Sequence, residues 1–236
     1  MNGPAEVADA VVAAIQAGDM ASLRQLLAEH PGVVSAPLGG RYKSRTPLHV
    51  VTDWPGYFPN GPQIVGLLVE AGADPNAHQR GEETPLHWAA SSDDWHVAAA
   101  LIDAGADINA ADGSIGTPLE NAVGYGCWDV ARLLVARGAD VGQPWVAAAL
   151  GLLDRLGELL GDRPTSEQVS QALWHACSGG QRRAAEYLLG RGAYLDWIPD
   201  YAKGTPLDAA SGEGTQRENL IGWLRDHGAH SAESDG

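Results

Sequence analysis

One tetrapeptide recurs along this chain and restricts its folding more than any other feature. Thr46-Pro47-Leu48-His49 returns as Thr84-Pro85-Leu86-His87, as Thr117-Pro118-Leu119-Glu120 and as Thr205-Pro206-Leu207-Asp208, with first intervals of 38 and 33 residues. A recurrence of this length means that one supersecondary unit is copied, each copy completing its core only against its neighbours. Leu-rich segments closing on glycine recur in step: Leu67-Leu68 to Gly72, Leu101-Ile102 to Gly105, Leu133-Leu134 to Gly138 and Leu188-Leu189 to Gly192. Thr suits a helix N-cap through its hydroxyl, Pro the first helical position, and Gly a left-handed C-cap. Small pairs such as Ala89-Ala90 let the first helix of a unit approach its neighbours closely. The chain is therefore read as an all-α array of helix–turn–helix units.

These residues, together with Gly72-Ala73-Asp74-Pro75-Asn76-Ala77 and Gly105-Ala106-Asp107-Ile108-Asn109-Ala110, resemble the ankyrin-repeat family over nearly the whole chain. The resemblance implies a solenoid of about seven units with short loop or β-hairpin fingers. The units are placed at approximately 7–38, 46–77, 84–110, 117–142, 143–163, 170–196 and 205–230, with a disordered tail at 231–236. Three of them lack the tetrapeptide and rest on a relaxed pattern, such as Val11 to Leu27 with Gly18-Asp19 as its turn. The resemblance also makes His49 and His87 hydrogen-bonding struts between repeats. Trp145 and Trp174 stand at that same position and are read as bulk replacing the strut, while Glu120 and Asp208 are acids able to do its work.

Function is expected where the scaffold departs from its pattern. The segment Asp53 to Pro62 replaces the short turn of the second unit with a loop about five residues longer than its counterpart in the third, and it is stiffened by Pro55, Pro59 and Pro62. It carries Asp53, Trp54, Tyr57 and Phe58. The finger 194–204 is likewise long, aromatic and acidic, and it contributes Trp197, Asp200 and Tyr201. Positions seven and eight after each Thr end the inner helices on the face that ankyrin repeats present to partners. They add Ser91, Ser92, Tyr125 and, with looser alignment, Glu213, while His175 is a further candidate on an inner helix. Trp88, Trp95, Trp128 and Trp223 are read as packing residues.

Thirty acids against fifteen Lys and Arg give a formal charge of -15, which opposes binding to phosphate backbones and excludes a nucleic-acid partner. No apolar run long enough to span a membrane and no signal peptide is evident. Cys127 and Cys177 read as small buried side chains of a reducing compartment, so the protein is placed in the cytoplasm. No compact metal-ligand spacing, nucleophile elbow, Walker loop or dinucleotide fingerprint occurs, so no cofactor or metal is expected. The favoured reading is a monomeric module that recognises a protein or peptide, basic or neutral, on a concave face with the help of loops 53–62 and 194–204. The alternative is a small-molecule binder, or an atypical hydrolase or lyase, with a pocket between those loops. Self-association is a third reading, opposed by like charge.

Overall fold

In the computed structural model, residues 3–38, 45–78, 83–212 and 217–232 are described; among them fourteen α-helices form and no strand. The fingers among these residues are turns, not β-hairpins. By internal contacts the chain divides into two compact units, Met1–Asp140 and Val141–Gly236.

The first unit holds α1 (Pro4–Ala17), α2 (Met20–Glu29), a 3-10 turn at Pro31–Ser35, α3 (Pro47–Val51), α4 (Gly61–Glu70), α5 (Pro85–Ser92), α6 (Trp95–Asp103), α7 (Pro118–Gly124) and α8 (Trp128–Ala136). Each odd helix packs on the even helix after it. The inner helices α1, α3, α5 and α7 touch in series, as do the outer helices α4, α6 and α8. Leu48, Leu86, Leu119, Ile64, Leu68, Leu101 and Leu134 are buried at these seams. The second unit is built from α9 (Pro144–Ala149), α10 (Leu153–Leu160), α11 (Ser166–Ser178), α12 (Arg182–Gly190), α13 (Pro206–Ala210) and α14 (Glu218–Asp226). Its core joins Leu156, Leu173, Leu188, Leu220 and Leu224 around a floor of alanines.

The local grammar holds with one adjustment. Thr117, Thr165 and Thr205 accept an amide hydrogen bond from the residue three further on, as capping requires. At Thr46 and Thr84 the hydroxyl instead meets His Nδ1, at 2.9 and 2.8 Å, because that ring occupies the capping space. The backbone N–H of each Thr also donates to the same nitrogen, so Nδ1 is the acceptor and Nε2 carries the proton. That proton reaches forward to a backbone carbonyl of the next repeat: His49 Nε2 to Glu83 at 3.0 Å and His87 Nε2 to Gly116 at 3.1 Å.

Trp174 departs from its expected role. Its indole N–H donates to the Gly204 carbonyl at 2.9 Å, the group immediately before the next Thr, so it retains the strut as well as adding bulk. Of the two acids, Asp208 reaches onward to Ser231 Oγ and the Ala232 amide, which ties the first two residues of the segment read as a tail. The hydrogen bond described for the Glu120 side chain is local, taken from the Thr117 amide.

Candidate functional site

In the first unit the turn after α3 begins as a continuation of the inner helix and then leaves it. Asp53 is held by Arg45 at 3.0 Å and accepts the Trp54 amide. The Trp54–Pro55 bond is cis and Gly56 turns back at φ 76, where a side chain would press on Ser92. The loop then fastens to both neighbours. Tyr57 donates its amide to Asp94 and its hydroxyl to the Asp93 carbonyl, both at 2.6 Å, and Asn60 donates to the Gly18 carbonyl at 2.9 Å.

This anchoring separates the loop's aromatic residues. Trp54 is 81% exposed and lines a cavity of about 220 Å³ together with Thr52, Asp53, Glu83, Trp88, Ser91, Ser92 and Tyr125. Tyr57 and Phe58 do not line it. Tyr57 is tied to the turn of the third repeat, and Phe58 is half-buried. Five residues singled out from the sequence thus meet on one wall, from three successive repeats: Asp53, Trp54, Ser91, Ser92 and Tyr125.

Glu83 and Trp88 belong to the same cavity and were missed. Trp88 is half-buried, with its ring edge-on to His49 at 5.0 Å, rather than sunk in the core. Its position one residue after the strut His repeats the tetrapeptide register, a signal that could have placed it on the partner face. Glu83 precedes a tetrapeptide Thr. Its backbone carbonyl receives the His49 strut, which leaves its side chain free to turn toward the cavity.

Beneath the cavity lies a hydrogen-bonded base. Glu83 Oε1 accepts from the Asn121 amide at 2.6 Å and from the Ser114 N–H at 2.8 Å. Fully buried Asn121 accepts from the Ile115 amide, and Ser114 Oγ meets the Tyr125 hydroxyl at 3.1 Å. Burial alone would raise the Glu83 carboxyl, but the hydrogen bonds from Ser114 and Asn121 outweigh it and hold the group below the usual glutamate range. The carboxylate is therefore ionised at neutral pH. Among the described residues no Lys or Arg forms an ion pair with it.

In the second unit Tyr201 folds back onto His175, its hydroxyl 3.0 Å from Nε2, while Gln171 donates to the same hydroxyl at 3.3 Å. The rings of Trp145 and Trp174 flank His175 at 4.6 and 5.0 Å. Burial pushes the His175 imidazole down to about 4, so it is neutral at physiological pH, and its Nδ1 has no hydrogen-bond partner. Trp197 is half-buried and Asp200 exposed on the same finger, but neither has a hydrogen bond or ring contact with this cluster. Glu213 lies outside the described residues.

Cys127 and Cys177 are free and buried, and burial raises their thiols to about 11 and about 12. Neither is an activated nucleophile. Among the described residues no group of three or more His, Cys, Asp or Glu is placed to hold a metal ion, and no helix is long and apolar enough to cross a membrane.

Short inner helices touching in series, an outer row behind them and variable turns at the inner-helix ends define a helical-repeat recognition scaffold. Comparison names the repeat. The family described as ankyrin repeats, in three copies, matches residues 56–144. The crystal structure of the ankyrin repeat domain of Bcl-3, described as a unique member of the IkappaB protein family, superposes with a TM-score of 0.51. It shares 25% identity, over 94% of this chain and 86% of that one. By sequence, no curated protein matches. Residues 56–144 thus match ankyrin repeats and the chain shares the ankyrin-repeat fold; ankyrin repeats generally mediate protein–protein interaction.

Proposed function

We propose that this protein is a binding module that holds a protein or peptide segment on the inner-helix face of its first unit, with the Trp54 cavity as the anchor point. One observation carries the reading: the variable turn residues of three consecutive repeats line a single cavity. Scaffold residues in the same repeats are consumed by struts and seams, so the side chains at this cavity are the ones left to meet a partner. Its volume of about 220 Å³ falls below the ~300–1,000 Å³ that encloses a drug-sized ligand and suits one inserted side chain instead. That favours a macromolecular partner over the small-molecule or enzymatic alternative.

Trp54 is a rigid aromatic side chain already exposed, the type that dominates interface energetics. The buried free thiols of Cys127 and Cys177 suit a reducing compartment, and the charge of -15 opposes self-association. We therefore place the protein in the cytoplasm as a monomer.

The test selects binding peptides from a displayed random library and measures their affinity by fluorescence anisotropy for the wild type, Trp54→Ala and Tyr125→Ala. Either variant should weaken binding at least tenfold, about 1.4 kcal/mol, as expected for an interface anchor. The urea midpoint should barely move, because both residues are more than half exposed. Equal affinity for all three proteins removes this cavity from the interface.

A further inference from the structure

We infer that the Trp54 cavity is a receptor for one cationic side chain of the partner, a positive head on an apolar stem such as lysine or arginine presents. The inference rests on the partner-binding reading above and specifies its chemistry.

Three features converge. First, the walls include the rings of Trp54, Trp88 and Tyr125, whose π-faces attract cations, indole most strongly. Second, the lining contains two carboxylates of different standing. Asp53 is already matched by Arg45, whereas Glu83 takes its hydrogen bonds from neutral donors, the Ser114 amide and the Asn121 side chain. Those donors orient the carboxylate and keep it ionised without cancelling its charge. Third, the base is braced by fully buried Asn121, so the carboxylate does not need to reorganise on binding.

An apolar side chain would fill the same volume but cover the half-buried Glu83 carboxylate without compensating its charge, which costs desolvation energy. An acidic side chain would add like charge. A lysine or arginine stem lying along the indoles, with its head toward Glu83, satisfies both parts of the lining. The Ser91 and Ser92 hydroxyls donate to backbone carbonyls, and Ser91 Oγ accepts only a long 3.5 Å bond from the Asn121 amide, so each oxygen keeps lone-pair capacity for a further N–H group. The overall charge of -15 steers such partners in the same direction.

The experiment follows the indole N–H resonances of Trp54 and Trp88 in the full-length protein by two-dimensional NMR. It titrates Nα-acetyl-lysine methylamide, Nα-acetyl-arginine methylamide and, as the uncharged counterpart of similar length, Nα-acetyl-norleucine methylamide. The expected result is saturable shifts of both indoles with at least one cationic probe, and an apparent affinity at least fivefold lower with norleucine. Glu83→Gln keeps an oxygen to accept from Ser114 and Asn121 and should lower cation affinity at least fivefold. Trp54→Ala, at an exposed position that cannot unfold the repeat, should do the same.

Norleucine binding as well as the cations, or neither cation moving the indoles, overturns the proposal. So does unchanged cation affinity in Glu83→Gln and Trp54→Ala together. Failure of the wider reading looks different. Cationic probes that bind but fail to displace any selected peptide leave a cation site without the proposed partner interface. Peptides that require Trp54 yet bind with no basic residue keep the interface and refute the cation.

Discussion

His49 and His87 each satisfy both ring nitrogens inside one hydrogen-bonded path, from a Thr at the start of one repeat to a carbonyl at the threshold of the next. Burial lowers the pKa of both, partly opposed by the carbonyl each one meets, so they serve as neutral spacers. Replacing His87 with Ala removes a buried ring and strands the Thr84 amide, while the Gly116 carbonyl keeps only the Gly113 N–H. The loss should be about 2–4 kcal/mol by urea unfolding, summing a cavity and an unpaired polar group. Trp174→Phe keeps the ring and deletes only the N–H that reaches Gly204, so it should cost about 1–2 kcal/mol. A Trp174→Phe protein as stable as wild type would show that the indole supplies bulk alone.

His175 sets a pH dependence whose sign is definite. In the folded chain it takes a proton only near pH 4, whereas unfolded it does so near 6.5, so the unfolded state binds more protons in between. Stability is whole above about pH 6.5 and falls as the pH drops toward 4, by up to about 3 kcal/mol from this residue. His49 and His87 act in the same direction. Urea midpoints measured across that range should decline, and His175→Gln, neutral throughout, should flatten the decline; superimposable profiles would remove His175 as the cause.

At the scale of elements, the outer helices α4, α6, α8, α12 and α14 share one ending. The residue after the C-cap is a left-handed glycine at Gly72, Gly105, Gly138, Gly192 and Gly228, and the next residue, always Ala, donates back to the helix five residues earlier. A side chain added at Gly105 would meet nothing within 4 Å, so Gly105→Ala isolates the backbone penalty. It should cost about 1 kcal/mol. Gly179 has ordinary dihedrals but faces the Ala149 carbonyl so closely that a methyl group cannot fit. Gly179→Ala should therefore cost more, about 1–3 kcal/mol of overpacking. The reverse ranking in thermal unfolding would mean that the α9–α11 contact yields easily.

Caps also cross between elements. Asp93 closes α5 in a left-handed conformation and gives its carboxylate to the Asp129 and Val130 amides, which caps α8 where Cys127 supplies no side-chain bond. Such exchanges explain why the Asp53–Pro62 loop is ordered. It borrows Asp93 and Asp94 from the third repeat and Gly18 from the first, so an apparent free loop is mostly scaffold with Trp54 projecting from it.

For the whole molecule, charge acts on every repeat at once. A formal charge of -15 repels itself more strongly in the compact chain, while the exposed ion pairs, such as Arg132–Asp129, contribute little. Raising ionic strength from about 0.01 to about 0.15 M shortens the screening length from about 30 to about 8 Å. The thermal midpoint should rise by about 2–4 °C, equivalent to roughly 1 kcal/mol in a chain of this size. A falling midpoint would show that the ion pairs outweigh the repulsion.

Much of this protein was legible before any coordinates. Helix starts and glycine ends depend on residues within a few positions of one another, so spacing recovers them, and the resemblance to ankyrin repeats supplies the His struts, because the repeat places the next copy predictably. The residues at the inner-helix ends could be named for the same reason. What the tertiary structure decided was which of them meet. Whether Trp54 or Tyr57 faces the cavity depends on hydrogen bonds to turns 36 to 42 residues away, and the ionised Glu83 on its brace depends on Asn121, 38 residues on. Pattern states what each residue does for its own turn of chain, whereas convergence of three repeats on one cavity follows from packing between them.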